Sequence, residues 1–78
     1  MTTQQVYDYL KTKRELNIDT LKSTIQVNQD YSDYVQELAD ELGIDGDDCL
    51  QIFQELEALE YIFCMPQMEC WIEYIEID

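Results

Sequence analysis

Apolar and polar positions follow a helical period in the middle of the chain. At about 100° per residue, one side holds the apolar residues Tyr31, Tyr34, Val35, Leu38, Ala39 and Leu42. Five acids, which we call the acidic stripe, share the other side: Asp30, Asp33, Glu37, Asp40 and Glu41. Asp30 or Ser32 is a suitable N-cap, and Gly43 can end the helix in the left-handed conformation. The pattern predicts a helix over residues 31–42.

A second amphipathic helix follows this turn almost at once. Asp45 can cap it, and Asp48 can complete a variant of the capping box. Its apolar side consists of Cys49, Ile52, Phe53, Leu56 and Leu59. Its other side consists of Gln51, Gln54, Glu55, Glu57 and Ala58, with Leu50 among them. We expect this helix to span about residues 46–60.

The N-terminal segment predicts one more helix, over about residues 3–15, with Thr2 or Thr3 as its cap. Its apolar face is formed by Val6, Tyr7 and Leu10. Residues 16–29 leave two alternatives open. Apolar residues in this segment are spaced for a helix, whereas residues 24–27 favour a short strand.

The C-terminal segment changes to a strand-like pattern. Residues 61–64 and 70–77 are rich in β-branched and aromatic side chains. Pro66 lies between them and suits the second position of a type I turn. The pattern predicts a β-hairpin over about residues 61–77, without showing which face of its second strand is buried.

This order of helix, Gly turn, helix and hairpin resembles the winged helix-turn-helix superfamily. The stretch that carries the resemblance is LADELGIDGDDCLQIFQELEALEYI, residues 38–62. The resemblance implies an α+β, mainly helical fold of three helices with a C-terminal β-hairpin wing. Such a fold fits residues 1–78 as a single domain, since 78 residues cannot hold two independent cores. It is poor guidance for function, because one scaffold hosts many roles.

The charge of the chain is strongly acidic and unevenly placed. The formal net charge is -14, from 4 basic and 18 acidic residues, with 46% hydrophobic residues, which argues against disorder. All the bases lie in residues 1–22, and residues 23–78 hold fifteen of the acids with no base. Such a surface repels nucleic-acid phosphates and anionic membranes, so we expect protein partners with basic surfaces.

In DNA-binding members of the superfamily, the second helix of the motif enters the major groove. The positions of this chain that match its reading face are Gly46, Asp47, Leu50, Gln51, Gln54, Glu55 and Ala58. Gln51 and Gln54 can in principle read adenine edges, but no base accompanies them to hold phosphates. Leu50 has two alternatives: it packs against the wing or the N-terminal helix, or it is an apolar anchor for a partner.

Enzyme, metal and cofactor chemistry have little support in the sequence. The chain has no His, which removes the usual general base and metal ligand. Helix capping explains the acids at residues 45–48 better than a calcium loop does. Three cysteines do not make an even disulfide framework, and whether Cys64 and Cys70 pair stays open. We expect no catalytic residue, cofactor or metal.

No apolar leader or membrane span is evident, so the sequence predicts a cytoplasmic protein. The favoured function is a small non-enzymatic regulator or adaptor that acts through protein contact and can form a homodimer. The residues expected to bind the partner are Leu50, Gln51, Gln54, Glu55, Ala58 and Trp71. Two alternatives remain: a nucleic-acid-mimicking inhibitor of phage or mobile-element type, whose acidic stripe imitates a phosphate backbone, and a DNA-binding transcription regulator.

Overall fold

The computed structural model describes residues 1–19, 21–66 and 70–77. Its elements, in chain order, are α1 (Thr3–Lys13), β1 (Glu15–Asn17), β2 (Lys22–Asp30), α2 (Tyr31–Leu42), α3 (Gly46–Ala58), β3 (Ile62–Met65) and β4 (Trp71–Ile77). Within the described residues the fold is therefore α+β, with three helices that make up about half of the chain and one antiparallel sheet. The predicted α+β class and the three predicted helices are confirmed.

The four strands form the sheet in the order β1-β2-β4-β3, so β2 and β4 are the inner strands. The β2–β4 register shifts between Gln26 and Gln29, where Asn28 has a positive φ of 52°. Such a bulge increases the local twist of a sheet. Burial along β4 departs from strict alternation in this region, since Ile72, Ile75 and Ile77 are all buried. The sequence alone could not assign a buried face to β4 for this reason.

Residues 16–29 contain strands instead of a helix. The strand favoured at 24–27 is the middle of β2, which is longer than expected, and the helical alternative is wrong. β1 was not predicted; it pairs with the start of β2, placing Leu16 opposite Ser23. Because β1 begins at Glu15, α1 ends at Lys13 and not near residue 15.

Capping side chains begin α1 and α3, whereas the predicted cap Asp30 begins α2 without a side-chain hydrogen bond. Thr2 Oγ1 accepts a hydrogen bond from the Gln5 amide (3.2 Å), and Gln5 Oε1 accepts one from the Thr2 amide (2.8 Å), which completes a capping box at α1. At α3, Asp45 Oδ1 accepts from the Asp47 amide (2.8 Å), so the bond goes to Asp47 and not to the predicted Asp48.

A tight turn joins α2 to α3. Gly43 has φ 67° and ψ 34°, and the Ile44 amide donates to the Ala39 carbonyl (3.0 Å). This left-handed end was predicted from the sequence and is confirmed. α3 ends at Ala58, two residues before the predicted end, because Glu60 turns the chain with φ 62°. The predicted C-terminal hairpin is confirmed as β3 and β4, and the residues after Pro66 that would complete its turn lie outside the described ranges.

The core lies between the helices and the sheet, and the inner face of α3 is at its centre. Cys49, Phe53 and Leu56 are fully buried on that face. The Phe53 ring makes edge contacts with Tyr31 and Tyr34 of α2, at centroid distances of 5.4 and 6.0 Å. Such aromatic pairs add to the stabilisation from burial alone.

The two glycines of the helix–turn–helix provide a matched test of this turn. Gly43→Ala should lower the free energy of unfolding by about 1 kcal/mol, because a Cβ disfavours the left-handed conformation. Gly46→Ala should be neutral or stabilising, because its Cβ meets only the flexible end of the Gln36 side chain. Urea unfolding monitored by circular dichroism measures both. Equal losses in the two variants would contradict this account of the turn.

Candidate functional site

The packing of α3 fixes which of its residues face outward. Its inner face is buried against α1, α2 and β3, so the opposite side is held toward solvent. The exposed residues there, which we call the outer face of α3, are Asp47, Gln51, Gln54, Glu55 and Ala58. Four of them were expected from the sequence to bind a partner. Glu55 Oε2 also accepts a hydrogen bond from Thr3 Oγ1 (3.2 Å), which connects this face to the start of α1.

Leu50 lies at the border of the outer face and not at its centre. It is half-buried in a cleft of about 360 Å³ between α2 and α3, which we call the α2–α3 cleft. The lining residues are Ser32, Val35, Gln36, Asp45, Gly46, Asp47 and Leu50. The sequence left open whether Leu50 packs against the wing or the N-terminal helix; in the structure its neighbours in this cleft come from α2 and the start of α3.

The cleft combines an apolar floor with an acidic and amide rim. Val35 and Leu50 provide the apolar surface, while Asp45 and Asp47 provide carboxylates at the start of α3. Gly46 lies beside Gln36 in this cleft, where an added Cβ would lie 2.7 Å from Gln36 Oε1. A long basic side chain matches such a site, since its methylene stem packs on apolar surface while its charged end meets carboxylates.

Sequence reasoning did not find Ser32, Val35 and Gln36 as members of this site. Val35 had been assigned to the buried face of its helix, and Gln36 had not been assigned to either side. The sequence feature that could have revealed these residues is the short spacing between Gly43 and Gly46, because it brings α2 and α3 together over a very short turn.

The acidic stripe is exposed along α2, but its members differ in their contacts. Glu41 Oε2 accepts hydrogen bonds from Lys13 Nζ and from Tyr9 Oη, the latter at 2.6 Å, so it ties α2 to α1. Glu37 accepts from Gln29 Nε2 (2.9 Å) and therefore contacts β2. The stripe is thus not one uniform array of free carboxylates, because Glu41 already has a cationic partner.

The contact with Lys13 changes how Glu41 titrates. Hydrogen bonds from Lys13 first and Tyr9 second lower the pKa of the Glu41 carboxyl. The same contact with Glu41 raises the pKa of the Tyr9 hydroxyl. A carboxyl with a lowered pKa stabilises the fold above its unfolded-state pKa, and this contribution is lost as the pH falls through the folded-state pKa.

The lysines are paired with acids of the same chain. Lys11 lies 3.6 Å from Asp8, Lys22 lies 3.5 Å from Glu76, and Lys13 pairs with Glu41. Each of these contacts is partly exposed and contributes little stability by itself. Because the lysines are paired, less positive charge is available to bind anionic ligands. The outer face of α3 has no base of its own.

Trp71 is 43% exposed but does not lie on α3. It begins β4 opposite Asp30, beside the N-terminus of α2, where the Tyr31 amide donates to the Cys70 carbonyl (3.2 Å). The sequence had grouped Trp71 with the α3 residues as one binding surface. The structure instead connects the two regions through Tyr31, whose hydroxyl donates to Glu57 of α3.

The thiols are free in the structure. Cys49 and Cys64 are buried, Cys70 is exposed, and none of the three is part of a disulfide in the structure. Burial, assisted by Glu57, raises the pKa of the Cys64 thiol to about 12, which disfavours the reactive thiolate.

In residues 1–19, 21–66 and 70–77, no group of three or more potential ligands is placed to hold a metal ion. None of the helices in those ranges is long and apolar enough to span a membrane.

Comparisons with known proteins leave this site to be interpreted from its own geometry. No family model, curated protein or solved structure matched the chain.

Two neighbouring acids of α2 allow the role of Glu41 to be measured. Glu41→Gln should lower the free energy of unfolding by up to about 1 kcal/mol at neutral pH, because it weakens the contacts with Lys13 and Tyr9. Asp40→Asn also removes one negative charge, but it keeps an oxygen that can accept a hydrogen bond from Gln36. The lost charge lies in the last turn of α2, where the helix dipole disfavours a negative charge. Asp40→Asn should therefore raise the free energy of unfolding.

Chemical denaturation over a series of pH values checks both variants. The deficit of Glu41→Gln should shrink as the pH falls below the ordinary pKa of a glutamate and through the lowered pKa of Glu41, because the wild-type carboxyl then becomes protonated. A deficit that persists at low pH, or an Asp40→Asn variant as destabilised as Glu41→Gln, would show that charge pairing is not what Glu41 contributes.

The unpaired acids should also make stability depend on salt. Raising the ionic strength from about 0.01 M to 0.1 M shortens the Debye length from about 30 to 10 Å, which screens repulsion between the acids. We therefore expect the melting temperature to rise over this range, as measured by differential scanning calorimetry. A melting temperature that stays constant would mean that the acids are too dispersed to repel one another.

Proposed function

We propose that this protein is a small non-enzymatic regulator or adaptor that binds a protein with a basic surface. The binding site in this proposal consists of the outer face of α3 and the α2–α3 cleft. The observation that carries it is the chemistry of that exposed face, which presents carboxylates and amides without a base. The apolar side of α3 is buried in the core, so the outer face is the side of this helix that is open to a partner.

The arrangement of elements supports a winged-helix scaffold for this role. Two helices joined by a Gly turn and followed by a hairpin keep the order on which the resemblance rests, with α1 before them. In this scheme α3 takes the place of the groove-reading helix, and β3 and β4 take the place of the wing. The β1–β2 hairpin is an addition to the predicted arrangement.

A protein partner fits this scaffold better than DNA does. DNA affinity depends mainly on Lys and Arg side chains that neutralise phosphates. Here Asp47 and Glu55 occupy the exposed positions of α3, while the lysines are paired with acids elsewhere. The charge that excludes DNA favours attraction of a basic protein surface, because complementary charge accelerates encounter and fixes orientation.

The α2–α3 cleft gives the proposal a specific anchor. We expect an arginine or lysine of the partner to lie along Val35 and Leu50, with its charged end near Asp45 and Asp47. The two glutamines on the outer face, Gln51 and Gln54, would then provide hydrogen bonds around this anchor. A few deeply inserted side chains commonly supply most of the binding energy of an interface.

A second candidate, a nucleic-acid-mimicking inhibitor, is favoured by the exposed acids of α2. Asp33, Glu37 and Asp40 recur about once per turn, or about 5.4 Å along the axis, which is of the order of a phosphate spacing. This candidate uses the outer side of α2 and not α3. It also predicts a much steeper loss of affinity with salt, because the contact would be almost entirely electrostatic.

Two leucine substitutions, one in the α2–α3 cleft and one past the end of α3, separate these possibilities. Capture from a lysate of the native host should recover a basic protein with the wild-type chain and with Leu59→Arg, but not with Leu50→Arg. Leu59 is 50% exposed and lies just past the end of α3, so Leu59→Arg introduces the same charge away from the cleft. Partner retention by Leu50→Arg would contradict the proposed anchor.

Salt titration and DNA binding complete the test. Affinity for the captured protein should fall only moderately with salt if the cleft anchors it, whereas a steep fall that depends on Asp33 and Glu37 would identify a mimic. Tight binding of duplex DNA at physiological salt in a mobility-shift assay would contradict both protein-contact functions.

A further inference from the structure

The β1–β2 hairpin exposes three large apolar side chains that the core does not use. Leu16, Ile18 and Leu21 are 63%, 81% and 77% exposed, and we call them the hairpin patch. Leu16 lies in β1, and Ile18 and Leu21 lie between β1 and β2. Single exposed apolar residues are ordinary, but a group of three on one hairpin indicates a surface that is covered by contact.

β1 also presents an open sheet edge beside this patch. It is the first strand in the order β1-β2-β4-β3, so among the described residues it pairs with another strand on one side only. Its sequence, Glu15–Leu16–Asn17, contains no Pro, and its pairing with β2 is regular. The unpaired backbone groups of a sheet edge can pair with another strand.

The charges around the hairpin indicate which strand can occupy that edge. Lys13 and Arg14 precede β1 and Lys22 begins β2, whereas residues 23–78 contain acids and no base. Two copies of the chain therefore repel one another over most of their surfaces, and the hairpin is the region where this repulsion is weakest. The opposite edge, β3, follows Glu57 and Glu60 and lacks this advantage.

Antiparallel pairing would also align opposite charges. Arg14 immediately precedes β1, whereas Lys13 before it is paired with Glu41, and the turn after β1 contains Asp19. When two copies of β1 run antiparallel, the basic start of one lies toward the acidic turn of the other. The hairpin patch is thus compatible in charge with a second copy of itself.

We propose that a second copy of this chain covers the hairpin patch, forming a two-fold symmetric dimer in which the two β1 edges pair antiparallel. The two sheets become one continuous sheet of eight strands, and the patches pack together beside the junction. The outer face of α3 is not part of this contact. Dimerisation is therefore independent of the proposed function, although it would give that function two partner sites.

The net charge gives the dimer an unusual dependence on salt. Two chains of charge -14 repel at long range, and screening weakens this repulsion. Dimerisation should therefore strengthen as salt is raised from about 0.01 M to 0.1 M. Binding of a basic partner should weaken over the same range, so the two contacts respond in opposite directions.

Sedimentation velocity over a concentration series tests the dimer directly. The wild-type chain should show a concentration-dependent shift from monomer to dimer. Ile18→Ser should raise the dimer dissociation constant at least about tenfold, because it removes apolar burial from both copies. Leu59→Ser is the matched control, since Leu59 is also exposed but lies at the end of α3, and it should leave the constant unchanged.

A wild-type chain that remains monomeric up to about 1 mM at moderate salt would overturn the proposal, because such an affinity is negligible. So would a dimer that Ile18→Ser leaves intact or that Leu59→Ser disrupts. Circular dichroism verifies that the variants fold, which we expect because both positions are exposed.

Isotope-filtered nuclear Overhauser spectra of a mixed labelled and unlabelled sample locate the contact. Intermolecular signals between residues 15–17 of the two copies support the proposal. Intermolecular signals confined to α3 or β3 would overturn it even if a dimer is present. These outcomes are distinct from failure of the partner-binding proposal, which the Leu50→Arg capture experiment reports.

Discussion

The structure depends on the packing of the inner face of α3. Cys49, Phe53 and Leu56 are fully buried, and their contacts reach both other helices and the sheet. These three side chains belong to one core that includes residues of every helix and of β2, β3 and β4, so this face cannot be released without exposing much of that core. Because the inner face is buried in the core, the opposite face of the same helix is exposed to solvent. The proposed function places partner binding on that surface.

Charge divides the molecule into two regions of different character. α2 and α3 present acids and amides, and the α2–α3 cleft adds a small apolar floor between them. The bases lie in α1 and around the β1–β2 hairpin, where the lysines pair with acids and the hairpin patch is exposed. An acidic surface suited to basic proteins and a nearly neutral apolar edge suited to self-association can therefore coexist on one small chain.

Local signals made the helices and the C-terminal hairpin predictable. Gly43, Asp45 and the period of buried residues defined α2 and the start of α3, because capping and burial act over a few residues. The β1–β2 hairpin was missed because apolar periodicity reports burial, and Leu16, Ile18 and Leu21 are apolar but exposed. The cleft was missed because the proximity of Gln36 to Gly46 arises only when the helices pack. Exposure of the α3 residues followed from the helical period, whereas the separation of Trp71 from them depends on sheet register.

The account stands on the claim that the outer face of α3 and its cleft receive the partner. Backbone amide chemical shifts of the ¹⁵N-labelled chain, followed during titration with the protein that the wild-type chain captures, test this claim most directly. The account predicts the largest changes at Gln36 and across residues 45–54, with residues 15–18 unaffected. Changes confined to the hairpin or to the outer side of α2, with residues 45–54 unchanged, would contradict it.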